Sequence, residues 1–335
     1  MGVSTIFSSS ARFALRHAAK ASPCPMSKAF ISTNQHNVPS LLTLATVRPE
    51  QLDAILQHSA TLKHRAKFTA LGLSDIESSL DKKTIALIFS KRSTRTRVAS
   101  ESSIAALGGH AMFLSPSDIQ LGVNESLYDT AFVVSSMVDG IMARVGGHDE
   151  IEMLARNSKV PVINALSSLF HPTQILADLL TILEVGGVQG PLPLLQTLAG
   201  KKVAWVGDSN NILNEMLVTY PRLGVHVSVA APQGAAYERN PVVWDLMTRG
   251  LTTLPQHMPR GEVEWCHDPV HAVKDADYIV TDTWYVRQLG ARAADVYTGF
   301  QWVFYGSRSL VFPEAENRKW TIMACFDWLF GRREL

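Results

Sequence analysis

Between the strand-like run Thr84 to Phe89 (TIALIF) and the helix-like run Val98 to Leu107 lies SKRSTRTR, Ser90 to Arg97. A helix start offers free backbone N–H groups and the positive end of its dipole, so an anion placed there is stabilised twice. In its STRTR portion, Arg95 and Arg97 and the hydroxyls of Ser93, Thr94 and Thr96 add charge-assisted and neutral donors to that corner. The chemistry these types support at this spacing is the gripping of a phosphate group. A basic surface loop would need the charges but not the interleaved hydroxyls.

Three more polar clusters follow strand-like runs. Arg144 ends GIMAR; His171, in HPTQ, follows PVINAL, with Gln174 three residues on; and GDSNN, Gly207 to Asn211, follows KKVAWV. Alone, Arg144 reads equally as an ion-pair partner and His171 as a helix cap. GDSNN lacks the later glycines of a dinucleotide fingerprint. Together they place several reactive side chains at the carboxyl ends of strands, where open α/β sheets hold their ligands.

Positioning them requires a particular architecture. From about residue 80 short apolar runs alternate with amphipathic stretches, the pattern of parallel sheets flanked by helices. Strands are predicted at 84–89, 111–114, 141–145, 161–166, 202–207, 225–231, 262–266 and 277–283. Helices are predicted at 49–67, Glu125 to Asp139, Gln174 to Glu184, and Glu314 to Phe330, the last opened by Pro313 and closed by Gly331. The Gly- and Pro-rich stretch Gly186 to Gly200 reads as a junction between two α/β units. The expected fold class is therefore α/β, with two doubly wound domains, each built on a central parallel sheet. The domains are assigned to residues 40–185 and 200–312, followed by a C-terminal helix over 313–330 that packs back on the first domain.

The N-terminus differs in character. Residues 1 to 49 hold no Asp or Glu, and Arg12, Arg16 and Lys20 recur every four residues in a Ser-rich context, as in a mitochondrial transit peptide, here assigned to residues 1–33. Removing it with its four basic residues takes the net charge from +1 to about −3. A near-neutral chain is not a general nucleic-acid binder. No apolar run reaches the ~20 residues that cross a bilayer, so no membrane partner is expected. Cys24, Cys266 and Cys325 make neither a metal spacing nor a disulfide framework.

STRTR, HPTQILAD, GDSNNIL, TDTW and SLVFPEAENRKWTIM together resemble the ornithine carbamoyltransferase family, over roughly residues 40 to 325. The first two motifs are shared with the wider carbamoyltransferases; the asparagine pair, DTW and ENRKW favour the ornithine branch. The resemblance implies carbamoyl transfer from carbamoyl phosphate to the side-chain amine of L-ornithine, giving L-citrulline and phosphate. It also implies a homotrimer, a place in the mitochondrial matrix, and no metal or organic cofactor. Carried over by motif, Ser93, Thr94, Arg95 and Thr96 would hold the phosphate. Arg144 and His171 would polarise the carbonyl oxygen, Gln174 would orient the carbamoyl amide, and Arg318 would return to carbamoyl phosphate from the last helix. Gln120, in DIQLGVNES, would reach a neighbouring subunit's phosphate site. Asn211 and Asp282 would contact ornithine, with Asp282 counted among the catalytic residues.

After DTW the sequence departs from the family. The expected Ser-Met-Gly loop and His-Cys-Leu-Pro-Arg turn are replaced by YVRQLGARAADVYTGFQW, Tyr285 to Trp302, before the family pattern resumes at VFYGSRS. The second domain is thus read as internally shortened after Trp284. Two alternative readings follow: a catalytically impaired carbamoyl-phosphate-binding variant or mis-spliced product acting only as a subunit, or a transferase whose Arg287 and Arg292 recognise an acidic acceptor.

Overall fold

The structure, a computed structural model, describes residues 5–8, 38–115, 126–187, 194–282 and 304–331. The described residues fall into two compact units, one within Ala19–Leu180 and Glu316–Leu335, the other within Met1–Ala18 and Thr181–Ala315.

The first unit is built on a wholly parallel sheet. Its strands, numbered along the chain after a single N-terminal strand β1 (Thr5–Ser8), are β2 (Thr84–Phe89), β3 (His110–Leu114), β4 (Gly140–Arg144) and β5 (Val162–Leu166), in the order β3-β2-β4-β5. The central strands read as unbroken apolar runs because both of their faces are buried, as in parallel sheets covered by helices. Their side chains join α3 (Leu127–Ser135) and α4 (His148–Asn157) in a core of Ala86, Ile88, Ile141, Ala143, Val162, Ala131, Ile151 and Leu154. Each fully buried Ile, Leu or Val contributes about 1.5–3 kcal/mol. The outer edge of β5 is closed by the preceding chain: Leu41 N–H donates to the Val162 carbonyl at 2.8 Å, and the Asn164 N–H donates to the Leu41 carbonyl at 2.8 Å.

Helices α1 (Pro49–Phe68), α2 (Thr94–Ala106) and α5 (Pro172–Val185) complete the frame, with a last helix α9 (Val311–Phe326) that continues into a π-turn over Asp327–Gly331. From Glu316 onward this C-terminal element packs on the first unit. Lys63 donates to Asn317 at 2.7 Å, Ser103 Oγ to the Lys319 carbonyl at 2.8 Å, and His58 Nε2 meets Asp327 at 2.5 Å. Gly140 opens β4 where the Phe330 ring passes, and a side chain there would overlap the ring.

The second unit holds β6 (Lys202–Val206), β7 (His226–Ala230), β8 (Val263–Cys266) and β9 (Tyr278–Thr281), mutually parallel. Helices α6 (Asn211–Thr219), α7 (Pro241–Thr252) and α8 (Pro269–Val273) accompany them. Strand β1 joins this sheet antiparallel to β9, giving the order β1-β9-β6-β7-β8.

The expected strands are found within two residues at every described boundary, and the class is α/β with two parallel-sheet domains. Three helix boundaries differ, and one strand was not foreseen. α2 begins at Thr94, so the hydroxyl-rich segment is itself the first turn. α3 ends at Ser135; Ser135 and Ser136 turn their hydroxyls onto the Phe132 and Val133 carbonyls, competing with the helical ladder. α9 starts at Val311, with Pro313 inside its first turn, where the missing N–H costs nothing. Thr5–Ser8, for which no strand was expected, pairs with β9 in the second sheet and lies within the residues assigned from sequence to a transit peptide.

Candidate active site

In each sheet the chain leaves in one direction, then returns to the opposite side of its first strand. The first unit runs from β2 to β3 and then to β4 on β2's other side, so the crevice between the carboxyl ends of β2 and β4 is its switch point. Ligands of open α/β sheets bind at such crevices. The segment 90–97 leaves β2 there, and Arg144 is the last residue of β4.

The two strand ends are tied together. Ser90 donates to the Arg144 carbonyl from both its N–H, at 2.8 Å, and its hydroxyl, at 3.0 Å. A register shift between Ala143 and Arg144 on the β5 side re-aims the arginine at the end of its strand. Ser93 is the N-cap of α2, yet its hydroxyl makes no cap hydrogen bond, and the first turn contains no acidic residue. Thr96 is buried with its hydroxyl unpartnered among the described residues, as is the Nε of Arg144. Buried donors without partners are costly, by about 1–3 kcal/mol each, unless a ligand satisfies them. Thr94 is exposed and Arg95 half-buried at the same turn. Arg97 is not part of this set: it pairs with Glu101 at 2.8 Å and stacks over the Phe113 ring at 3.5 Å.

His171 precedes α5 and is 3 % exposed. Burial first, then the charges of Arg318 and Arg144, hold its imidazole well below the usual histidine value, so it is neutral near pH 7. Its Nδ1 lies 3.3 Å from the Thr173 hydroxyl. With that hydroxyl donating, the tautomer left is the one carrying a proton on Nε2. Gln174 is held from both ends, its Nε2 donating to Asp178 at 2.9 Å and its Oε1 accepting from Arg318. Burial and then the neighbouring Arg318 guanidinium lower the Arg144 pKa from its ordinary value. The first unit therefore gathers Arg144, Arg318 and a neutral histidine in one buried cluster, an arrangement that welcomes an anion and a polarised carbonyl.

The second sheet repeats the topology with opposite charge. Its switch point lies between β6 and β9, and Gly207–Asn211 and Asp282 leave the carboxyl ends of these two strands. Trp205 Nε1 donates to the Asp208 carbonyl at 3.2 Å, fixing the turn at Gly207, whose φ of +154° lies where glycine is favoured. Asn210 caps α6 through the Ile212 and Leu213 N–H groups and donates from Nδ2 to Asp282 Oδ2 at 2.7 Å. Asn211, half-buried, is the first residue of the helix. Burial, and then the Asp282 carboxylate, push the Asp208 carboxyl above its ordinary value. Paired carboxylates of this kind suit a cationic amine.

The structure thus brings Ser93, Thr94, Arg95 and Thr96 onto one helix start, and Arg144, His171, Gln174 and Arg318 into one cluster. Asn211 and Asp282 share one strand-end rim. Gln120 and Tyr285 to Trp302, with Arg287 and Arg292, lie outside the described residues. Sequence reasoning passed over Asp208 and Asn210. Their signal was available, since both sit in the same strand-to-helix turn as Asn211. Among the described residues no group of three or more His, Cys, Asp or Glu side chains is placed to hold a metal, and no helix is long and apolar enough to cross a membrane.

Comparison with known proteins agrees with this geometry. The family model for the aspartate/ornithine carbamoyltransferase carbamoyl-P binding domain matches residues 39–184, and that for the Asp/Orn binding domain matches residues 199–301. The mitochondrial ornithine carbamoyltransferase of Emericella nidulans is 40% identical over 319 residues, covering 85% of this chain and 87% of that protein. The crystal structure of a mitochondrial ornithine carbamoyltransferase from Coccidioides immitis superposes with a TM-score of 0.76 at 39% identity, covering 88% of this chain and 98% of that one. The Pyrococcus furiosus ornithine carbamoyltransferase gives 0.72 at 34% identity, covering 87% and 96%. The chain belongs to the ornithine carbamoyltransferase family.

Proposed function

We propose that this protein transfers the carbamoyl group of carbamoyl phosphate to the side-chain amine of L-ornithine, forming L-citrulline and phosphate. The observation that carries the reading is the neutral, buried His171 grouped with two guanidiniums in the first unit. The Ser93–Thr96 turn holds the phosphate, with the unpartnered Thr96 hydroxyl and the helix N–H groups as donors. Arg144 and the Nε2–H of His171 donate to the carbonyl oxygen. As the neutral amine attacks the carbonyl carbon, the C–O bond to phosphate breaks, the amine's surplus proton leaves with the phosphate, and charge developing on both oxygens meets donors already in place. Gln174, steadied by Asp178 and Arg318, accepts from the carbamoyl amide. Asp282, Asn211 and the adjacent Asp208 receive the amino acid.

Beyond that reading, the chain is assigned to a homotrimer in the mitochondrial matrix. Exposed apolar side chains on and just after α3, Tyr128, Val133 and Met137, support the assembly as an exposed apolar face of the first unit. The mitochondrial names of its relatives support the location. Gln120 is assigned to a neighbouring subunit's phosphate site.

The acceptor half is expected to be slow. The sequence contains neither Ser-Met-Gly nor His-Cys-Leu-Pro-Arg after Trp284. The match to the Emericella nidulans protein spans 319 aligned positions, more than 85% of 335 residues can fill, so some of its positions have no counterpart here. Each lost donor to a transition state typically costs about 100–1,000-fold in rate. The test is product formation from carbamoyl phosphate and ornithine by the full chain. Citrulline formed slowly, and abolished by Arg95→Ala, supports the proposal. Binding of carbamoyl phosphate with no citrulline at all would leave only an impaired subunit, and carbamoyl-aspartate as the product would mean an acidic acceptor.

A further inference from the structure

Arg318 reaches the first unit from the C-terminal end of the chain, so its aim depends on the rotation of the helix that carries it. Turning a helix by about 10° about its own axis swings a side-chain end about 6 Å from that axis through about 1 Å. Misplacement of that size can cost about 100-fold at a reacting centre. The residues on either side of Arg318 are both held. Asn317, buried, accepts from Lys63 Nζ of α1 at 2.7 Å. The Lys319 carbonyl accepts at 2.8 Å from the buried hydroxyl of Ser103 in α2, whose single proton is shared with the Ala99 carbonyl at 2.7 Å. Between them Arg318 donates to Gln174 of α5. α9 is thus wedged among α1, α2 and α5 at the turn that carries the guanidinium. The other ties bear less on that turn: Lys67 pairs with Glu316 at an exposed surface, where ion pairs contribute little, and His58 meets Asp327 only in the closing π-turn.

We propose that Lys63 and Ser103 are positioning residues for carbamoyl phosphate, setting the rotation of α9 so that Arg318 meets the ligand, an inference that rests on the assignment of Arg318 to that site. Both act through Arg318 rather than on the ligand itself. Helix α1, which lies outside the anion turn and the strand ends, thereby takes a part in ligand affinity.

Calorimetric titration of the folded full chain with carbamoyl phosphate tests this through a double-mutant cycle. Lys63→Met keeps the apolar stem and loses the donor, so its dissociation constant should rise at least about tenfold. Lys63→Arg, which keeps a cationic donor, should recover most of that loss. Because Lys63 acts through Arg318, adding Lys63→Met to Arg318→Ala should change the constant by no more than about twofold, whereas a merely structural role would leave the two losses additive. Parent-like binding by Lys63→Met, or its full loss repeated on the Arg318→Ala background, overturns the proposal and leaves the functional reading in place. A parent that binds no carbamoyl phosphate overturns that reading and this one together. Should Lys63→Met fail to fold, Ser103→Ala takes its place in the same cycle, since alanine suits the interior of α2 and only the hydroxyl is lost.

Discussion

The two units solve the same topological problem with opposite electrostatics. Each offers a crevice where its parallel sheet switches direction, but the first lines it with Arg95, Arg144, Arg318 and an unprotonated His171, the second with Asp208 and Asp282. One fold plan can therefore suit an anion or an amine, depending on which side chains stand at the strand ends. The units also differ in self-sufficiency. The first has buried polar donors without a partner among the described residues and a sheet edge covered by residues close to its own first helix. The second borrows its outermost strand from residues 5–8.

That contrast can be broken most forcefully in the first unit. Arg144→Ala removes a donor to the reacting carbonyl and should lower kcat/KM by about 100–1,000-fold, while binding of ornithine analogues stays intact. A steady-state assay varying each substrate separates these effects; a change confined to ornithine KM would contradict the assignment. Asp282→Asn should act on the other side, weakening ornithine by about 10–100-fold, as expected for a hydrogen bond to a charged group, and leaving carbamoyl phosphate binding unchanged. It also removes one of the two causes holding up the Asp208 carboxyl, so that pKa should fall toward its ordinary value.

The smallest effect is on stability. His171 is held neutral when folded, so the unfolded chain takes up its proton first as the pH drops below about 6.5. Its stabilising contribution is thus complete above that value and is lost between it and the lower folded pKa. One proton gives a slope of at most about 1.4 kcal/mol per pH unit. Denaturant midpoints across pH 4.5–7 should show that loss in the parent and a shallower one in His171→Gln. Identical slopes would mean that the imidazole is not desolvated as described.

Much of the fold was legible because the central strands are apolar on both faces: TIALIF, GIMAR and KVAWV announce themselves without reference to the rest of the chain. The start of α2 was not, since STRT carries hydroxyls and charge where helical periodicity needs apolar residues. At the site, residue types alone pointed to the Ser93–Thr96 turn as a candidate anion site. The roles of Arg144, His171, Gln174 and Arg318 came through family resemblance, because their meeting depends on a β-bulge and on a helix about 140 residues downstream, seen in the Gln174–Arg318 hydrogen bond. Asp208 and Asn210 stood in the GDSNN cluster but were given no role, because only the fold puts them beside Asp282. β1 was not foreseen because its four residues lie in the basic, acid-free stretch assigned to a transit peptide.

The account rests on the anion pocket at the start of α2. Calorimetric titration of the folded full chain with carbamoyl phosphate, or with a non-hydrolysable phosphonate analogue, addresses it most directly. Saturable binding at one site per chain, weakened at least about tenfold by Arg95→Ala, is the predicted result. A well-folded sample showing no heat of association with either ligand would contradict it.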